Sequence, residues 1–417
     1  MSAGYEVEDA PDSNIQGSVQ PNGNKKTKKS TCFKIVKGSF LTCLIAPPFL
    51  FFIVFSTVTV IFGGICYVTL VRNQSDSCEE SCGQNTPDNW SLKTNCKIWD
   101  HNETLTSYIK ENLQIDKKYV EEVEIKPSQK DLEKFGNILY NWNEESTISA
   151  YHYRAHNETA KQKTIIVTHD FRGCKRSFTS LMVSAMLQKN GYDVLSLTMR
   201  NHGKSESNGG FVTFGSQENF DVSAAFTYLN KTLDNVGFYG VGMGAASTII
   251  SLNLKAQSEG KTALFLDSMS CDMENTMKMY LKERYGEKIS PEYLFWQMCQ
   301  SSPVFSRFSC IPFQFDTLKT SMDLKQNENT TAHAFHFEHN KNNAVYNYEN
   351  TEKCIKNIEE NKILEVSQKI TDYNVEGENE WKPFKNQNGC NTQGTNMLQD
   401  MKNYERRLIS FFDNKLL

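Results

Sequence analysis

The stretch Val236-Gly237-Phe238-Tyr239-Gly240-Val241-Gly242-Met243-Gly244-Ala245-Ala246-Ser247 constrains the fold more than any other part of the chain. An apolar strand runs into a turn of glycines and then into small residues that open a helix. Glycine is the residue that reaches the strained backbone such a turn needs, and it leaves room where strand and helix meet. The pattern continues on both sides. Residues 120–125 and 147–154 alternate apolar and polar positions, as antiparallel strands with one wet face do. Residues 164–168 form a continuous apolar run, expected of a central parallel strand. A helix is predicted over 178–189, a buried strand over 193–199, a helix over 217–232, a strand over 236–241, a helix over 245–256 and a strand over 262–267. Such alternation predicts a doubly wound, mostly parallel α/β sheet. Residues 269–329 break the rhythm, and their aromatic content, as in Tyr293-Leu294-Phe295-Trp296, reads as a cap inserted over the sheet. A strand over 332–337, a helix over 344–361, a short strand over 381–384 and a closing amphipathic helix over 396–412 complete the expected order.

Topology is set by a second feature. Residues 38–71 carry no charge. About 20 apolar residues cross a bilayer core, and Pro47-Pro48 suit the first turn of such a helix. A transmembrane signal anchor is expected over 48–70; the long apolar region and the lack of a small-x-small cleavage site oppose a cleaved signal peptide. Lys25, Lys26, Lys28, Lys29, Lys34 and Lys37 precede the span and only Arg72 follows closely, which places residues 1–37 in the cytosol as a disordered tail. Those lysines serve as a topology signal and can also rest on anionic lipid; Cys32 beside the membrane is a palmitoylation candidate. The remainder is then lumenal or extracellular, in the secretory pathway or at the cell surface. The sequons at Asn73, Asn89, Asn102, Asn157, Asn230 and Asn329 all follow the span. So do nine of the twelve cysteines, an odd number that leaves a free thiol or an intermolecular bridge. Residues 73–116 read as a glycosylated stem in which Cys78, Cys82 and Cys96 form a disulfide loop rather than a metal site. The net charge of −4 gives no argument for nucleic acid.

Gly240-Val241-Gly242-Met243-Gly244 resembles the nucleophile elbow of the α/β-hydrolase superfamily, in the form G-x-S-x-G. Ile165-Ile166-Val167-Thr168-His169-Asp170-Phe171-Arg172-Gly173 resembles that superfamily's strand ending in His-Gly-x-x-Gly. Met199-Arg200-Asn201-His202-Gly203-Lys204-Ser205 resembles its Arg-Gly-His-Gly-x-Ser turn, a structural motif. Leu266-Asp267-Ser268 resembles the end of the strand after the elbow. The resemblance covers roughly residues 120–415, within a domain at 117–417, and is closest to the serine aminopeptidase and monoacylglycerol-lipase-like branch. It implies an oxyanion hole at the Phe171 and Met243 amides. It also implies a nucleophile at Gly242, an acid near Asn342 and a base near Cys390.

Each implied position departs from the chemistry. Acyl transfer needs a serine that attacks, a histidine that takes its proton and an acid that orients the histidine. Gly242 has no side chain, Asn342 holds no charge, and no histidine follows His339. Asp170 replaces the first glycine of the His-Gly motif, and a carboxylate there opposes the charge that develops in an oxyanion hole. Three concerted losses point to a pseudoenzyme that binds a protein or an apolar ligand, with no cofactor and no metal. A displaced nucleophile, with Ser247, Ser268, Ser270 or Cys390 as candidates, would instead give a membrane-anchored esterase, lipase or peptidase. A lumenal stabilising subunit of another membrane protein is a third role. His333, His336 and His339 are closely spaced, but on a strand His336 points away from the other two.

Overall fold

The computed structural model describes residues 50–51, 53–58, 61, 85–90, 103–113, 115–126, 147–156, 160–205, 212–215, 217–255, 262–270, 272, 275–276, 279, 333–340, 349, 351–352, 355–356, 364–371, 397 and 401–416. The chain divides into two compact units, Met1–Thr57 and Val58–Leu417. In the first, residues 50–51 and 53–57 are helical and expose Leu50, Phe51, Ile53, Val54 and Phe55. Among the described residues no helix is long and apolar enough to cross a membrane. Most of the expected anchor lies outside them, as do the cytosolic tail and nearly all of the expected cap.

The second unit is built on eight strands: β1 Val120–Ile125, β2 Ile148–Tyr153, β3 Thr164–Thr168, β4 Asp193–Leu197, β5 Val236–Val241, β6 Ala263–Asp267, β7 His333–Asn340 and β8 Leu364–Thr371. Their spatial order is β1-β2-β4-β3-β5-β6-β7-β8. β2 runs antiparallel to both β1 and β4, and every later pairing is parallel. Among the described residues, the α-helices of eight residues or more beside them are α1 Glu103–Asn112, α2 Phe178–Lys189, α3 Asn219–Leu229, α4 Met243–Lys255 and α5 Met401–Leu416. One face of the sheet packs apolar residues of α3 and α4 with Ile166, Leu195, Phe238 and Leu264. The other packs α2 and α5 with Ile165, Val167, Tyr239 and Phe265. This strand order, with a strand-turn-helix at β5–α4, is the α/β-hydrolase fold.

The structure bears on three expectations. β2 has no wet face: all six residues are buried, because Ile148 and Ala150 enter one apolar layer while Tyr151 and Tyr153 enter the other. The eighth strand lies at Leu364–Thr371, and residues 381–384, expected to form it, lie outside the described residues. Within the segment expected to be a stem, Trp90, Ile109, Leu113 and Ile115 are buried in the layer with α2 and α5, and Tyr108 donates to Glu405 of α5 at 2.6 Å.

Buried charges tie the turns to the sheet. Arg200 gives Asp221 of α3 three hydrogen bonds: its N–H at 2.7 Å, Nε at 3.0 Å and Nη2 at 2.6 Å. Asp221 is fully buried, and burial pushes its carboxyl up despite the guanidinium. The Ser205 hydroxyl donates to the Thr198 carbonyl and accepts the Ser149 N–H, so the 199–205 turn laces β2 to β4. Removing one partner of such a pair strands the other. Asp221→Ala is therefore expected to lower unfolding stability by about 3–5 kcal/mol in denaturant titration. An exposed change such as Lys204→Ala should shift it by less than about 0.5 kcal/mol.

Candidate functional site

The elbow sits where β5 ends. Gly242 has φ +51°, a left-handed conformation that favours glycine. The flanking glycines are required by contact. A Cβ on Gly240 would lie 2.6 Å from Ala245 Cα, and one on Gly244 would lie 2.5 Å from the His169 carbonyl oxygen. The Gly242 N–H donates to the Asp267 carbonyl at 3.0 Å, and its own carbonyl accepts from Ala246 at 3.2 Å. The backbone of an elbow is thus complete at a position that carries no reactive atom.

The Met243 amide, expected to be an oxyanion donor, is already engaged. Its N–H, the first of α4, donates to Asp170 Oδ1 at 2.7 Å. Asp170 is 4% exposed, and its backbone is fixed as well. Its carbonyl accepts the Gly173 N–H at 2.8 Å and lies 2.7 Å from His169 Nδ1. His169 Nε2 accepts the Met199 N–H at 2.9 Å, which puts the ring proton on Nδ1. Burial pushes the His169 pKa well below its ordinary value, followed by the effect of neighbouring His202, so the ring is neutral as that bonding requires. The Phe171 ring is buried against Phe214, centroids 4.8 Å apart. An anion brought to the Met243 amide would meet a carboxylate bonded there.

The serines considered as displaced nucleophiles are buried too. Ser247 is fully buried and donates to the Met243 carbonyl at 2.8 Å, one turn back in α4. Ser268 donates to Asp267 Oδ1 at 2.8 Å, and Ser270 donates to the Asp272 carbonyl at 3.1 Å. His202 Nδ1 lies 2.8 Å from the Arg200 carbonyl, the arrangement of a turn residue. His336 stacks on Phe265 and faces Glu338 at 3.1 Å. His339 is buried at the end of β7, with Nδ1 3.4 Å from the Thr351 hydroxyl. Among the described residues no group of histidine, cysteine and acidic side chains can hold a metal ion. Asn342, Cys390, Asn73, Asn102, Asn157 and Asn329 lie outside the described residues. Asn89 and Asn230 are exposed. Cys174, in the loop after β3, is disulfide-bonded.

Sequence reasoning missed a polar network behind the elbow. Asp267, fully buried at the end of β6, accepts from the Tyr404 hydroxyl at 2.8 Å, and Tyr404 meets the Tyr239 hydroxyl at 2.9 Å. Beside it Glu338 takes Arg407 of α5 through Nε at 2.6 Å and Nη2 at 3.2 Å. Burial, and then the Asp267 charge, raise both tyrosine pKa values well above ordinary. The available signal was one acid after apolar residues in each of two strands, in Phe265-Leu266-Asp267 and Phe335-His336-Phe337-Glu338.

No protein-family model matches the sequence, and no curated protein matches it. Solved structures do. The Pyrococcus furiosus esterase Pf2001 aligns at TM-score 0.46 and 17% identity over 72% of this chain and 93% of its own. An α/β hydrolase from Vibrio vulnificus aligns at 0.46 and 13% over 76% and 91%. Est1E of Butyrivibrio proteoclasticus, solved with ferulic acid, aligns at 0.43 and 15% over 67% and 99%. At these values the fold assignment stands on the strand order and the elbow themselves.

Two outcomes follow for the site. Gly244→Ala drives a methyl into backbone and is expected to lose about 2–4 kcal/mol of unfolding stability. Gly242→Ala places a side chain at a positive φ and should lose about 1–2 kcal/mol. Buried histidines contribute to the pH dependence of stability. Burial depresses the folded pKa of His152 and of His202 to about 4, from an ordinary 6.5. A depressed folded pKa means that stability is full above pH 6.5 and is lost as pH falls toward 4, because the unfolded chain takes the proton first. Each ring contributes on the order of 3 kcal/mol by pH 4. His152→Gln should flatten the measured slope of stability against pH across that window.

Proposed function

We propose that the protein is a single-pass type II membrane glycoprotein whose α/β-hydrolase-like ectodomain, degenerate in its catalytic triad, binds a protein or an apolar ligand without turning it over. The observation that carries this reading is the Asp170 carboxylate on the Met243 N–H beside a nucleophile position that is glycine. An enzyme of this class stabilises its tetrahedral intermediate with that amide, and loss of one such donor alone reduces turnover about 10²–10³-fold. Here the donor is engaged and no covalent route begins at Gly242. The buried, hydrogen-bonded hydroxyls of Ser247, Ser268 and Ser270 weigh against a displaced nucleophile. The charge-free run at 38–71, the lysines before it and the sequons after it support the orientation. The cysteines beyond the run fit an oxidising compartment.

Fluorophosphonate labelling of the full-length protein in membranes, beside an active serine hydrolase, tests the reading. The expected outcome is no labelling and no ester hydrolysis. Stoichiometric labelling would overturn it, and the labelled residue would identify the nucleophile.

A further inference from the structure

Tyr228 is a large side chain that stands exposed, at 41%. It lies in the last turn of α3 and meets His152 of β2 edge-on, ring centroids 6.4 Å apart. His152 is 3% exposed, and neither ring nitrogen has a hydrogen-bond partner. Tyr228 therefore covers a neutral imidazole while leaving much of its own apolar surface in water.

Two residues on, the chain leaves the helix. Asn230 caps α3 in the left-handed conformation, φ 48° and ψ 41°, with its N–H on the Thr227 carbonyl and its side chain exposed. Lys231 turns inward, its Nζ 2.7 Å from Thr164 Oγ1 of β3. Thr232 accepts from Asn235 Nδ2 at 2.9 Å. The residues of the Asn230-Lys231-Thr232 sequon thus have defined places, with the asparagine exposed and an exposed aromatic ring two residues before it. A hexopyranose presents a face of C–H bonds that suits the negative face of an aromatic ring.

We infer that Asn230 carries an N-linked glycan whose first N-acetylglucosamine packs on Tyr228, making the sugar part of the cover over His152. The inference rests on the lumenal placement of the domain proposed above. The bond formed joins Asn230 Nδ2 to the anomeric carbon of the sugar. The bond broken links that carbon to a lipid diphosphate carrier, and the amide gives up one proton. Among the six sequons, this one is then structural as well as solubilising.

The test uses full-length protein from a glycosylating host, purified in detergent. Glycopeptide mass spectrometry reads occupancy, and thermal unfolding reads the coupling in a double-mutant cycle of Tyr228→Ala with Asn230→Asp. Thr232→Ala serves as a second way to remove the sugar. The expected result is an occupied Asn230, with Tyr228→Ala lowering Tm by about 2 °C in the glycoprotein and by clearly less without the glycan. Trimming every glycan to its first sugar should preserve that difference. Occupied sequons elsewhere with a bare Asn230, or equal Tm shifts in both backgrounds, would overturn the inference and leave the orientation intact. A chain bare at every sequon would overturn both.

Discussion

The contact between the Asp170 carboxylate and the Met243 N–H is the interaction on which the character of this molecule depends. It joins the loop after β3 to the first turn of α4, the two elements that frame the elbow. A carboxylate at a helix N-terminus meets both an unsatisfied donor and the positive end of the helix dipole. A charge-assisted hydrogen bond of this kind contributes about 1.5–3 kcal/mol. In a catalyst the same donor is held ready for charge that appears only during reaction. Here the Asp170 side chain occupies it, and on the reading proposed above the elbow serves as a structural joint.

The rest of the domain is fastened by the same means. Arg200 with Asp221 fixes the turn after β4 to α3 on one face of the sheet. Asp267 with Tyr404, and Glu338 with Arg407, fix α5 to β6 and β7 on the other. Buried carboxylates lie on both sides of β5, each answered by a donor from a neighbouring element. His336 faces Glu338 but stacks between Phe265 and Phe411, inside the layer against α5.

Much of this was legible in the residues. Strict apolar runs marked β3 through β6, and the glycine spacing marked the elbow, because a single Cβ at Gly240 or Gly244 has nowhere to go. Replacement of a motif glycine by Asp170 flagged the oxyanion position. Its partner could not be read, since the Met243 amide becomes its neighbour only when β3 and β5 pair. β2 misled because its polar residues are covered by packing from both layers, which local alternation does not encode. β8 was overlooked although Leu364-Glu365-Val366-Ser367 alternates apolar and polar positions. The network around Asp267 joins residues 137 positions apart, beyond the reach of any local pattern.

Amide hydrogen exchange at Met243 reads the central contact directly. The account predicts a protected Met243 N–H in the full-length protein. It also predicts that Asp170→Ala accelerates exchange there by roughly tenfold or more, the equivalent of one charged hydrogen bond, while later amides of α4 keep their protection. Rapid exchange at Met243 in the unaltered protein, or a rate indifferent to Asp170→Ala, would contradict it. The elbow would then still hold a free oxyanion donor.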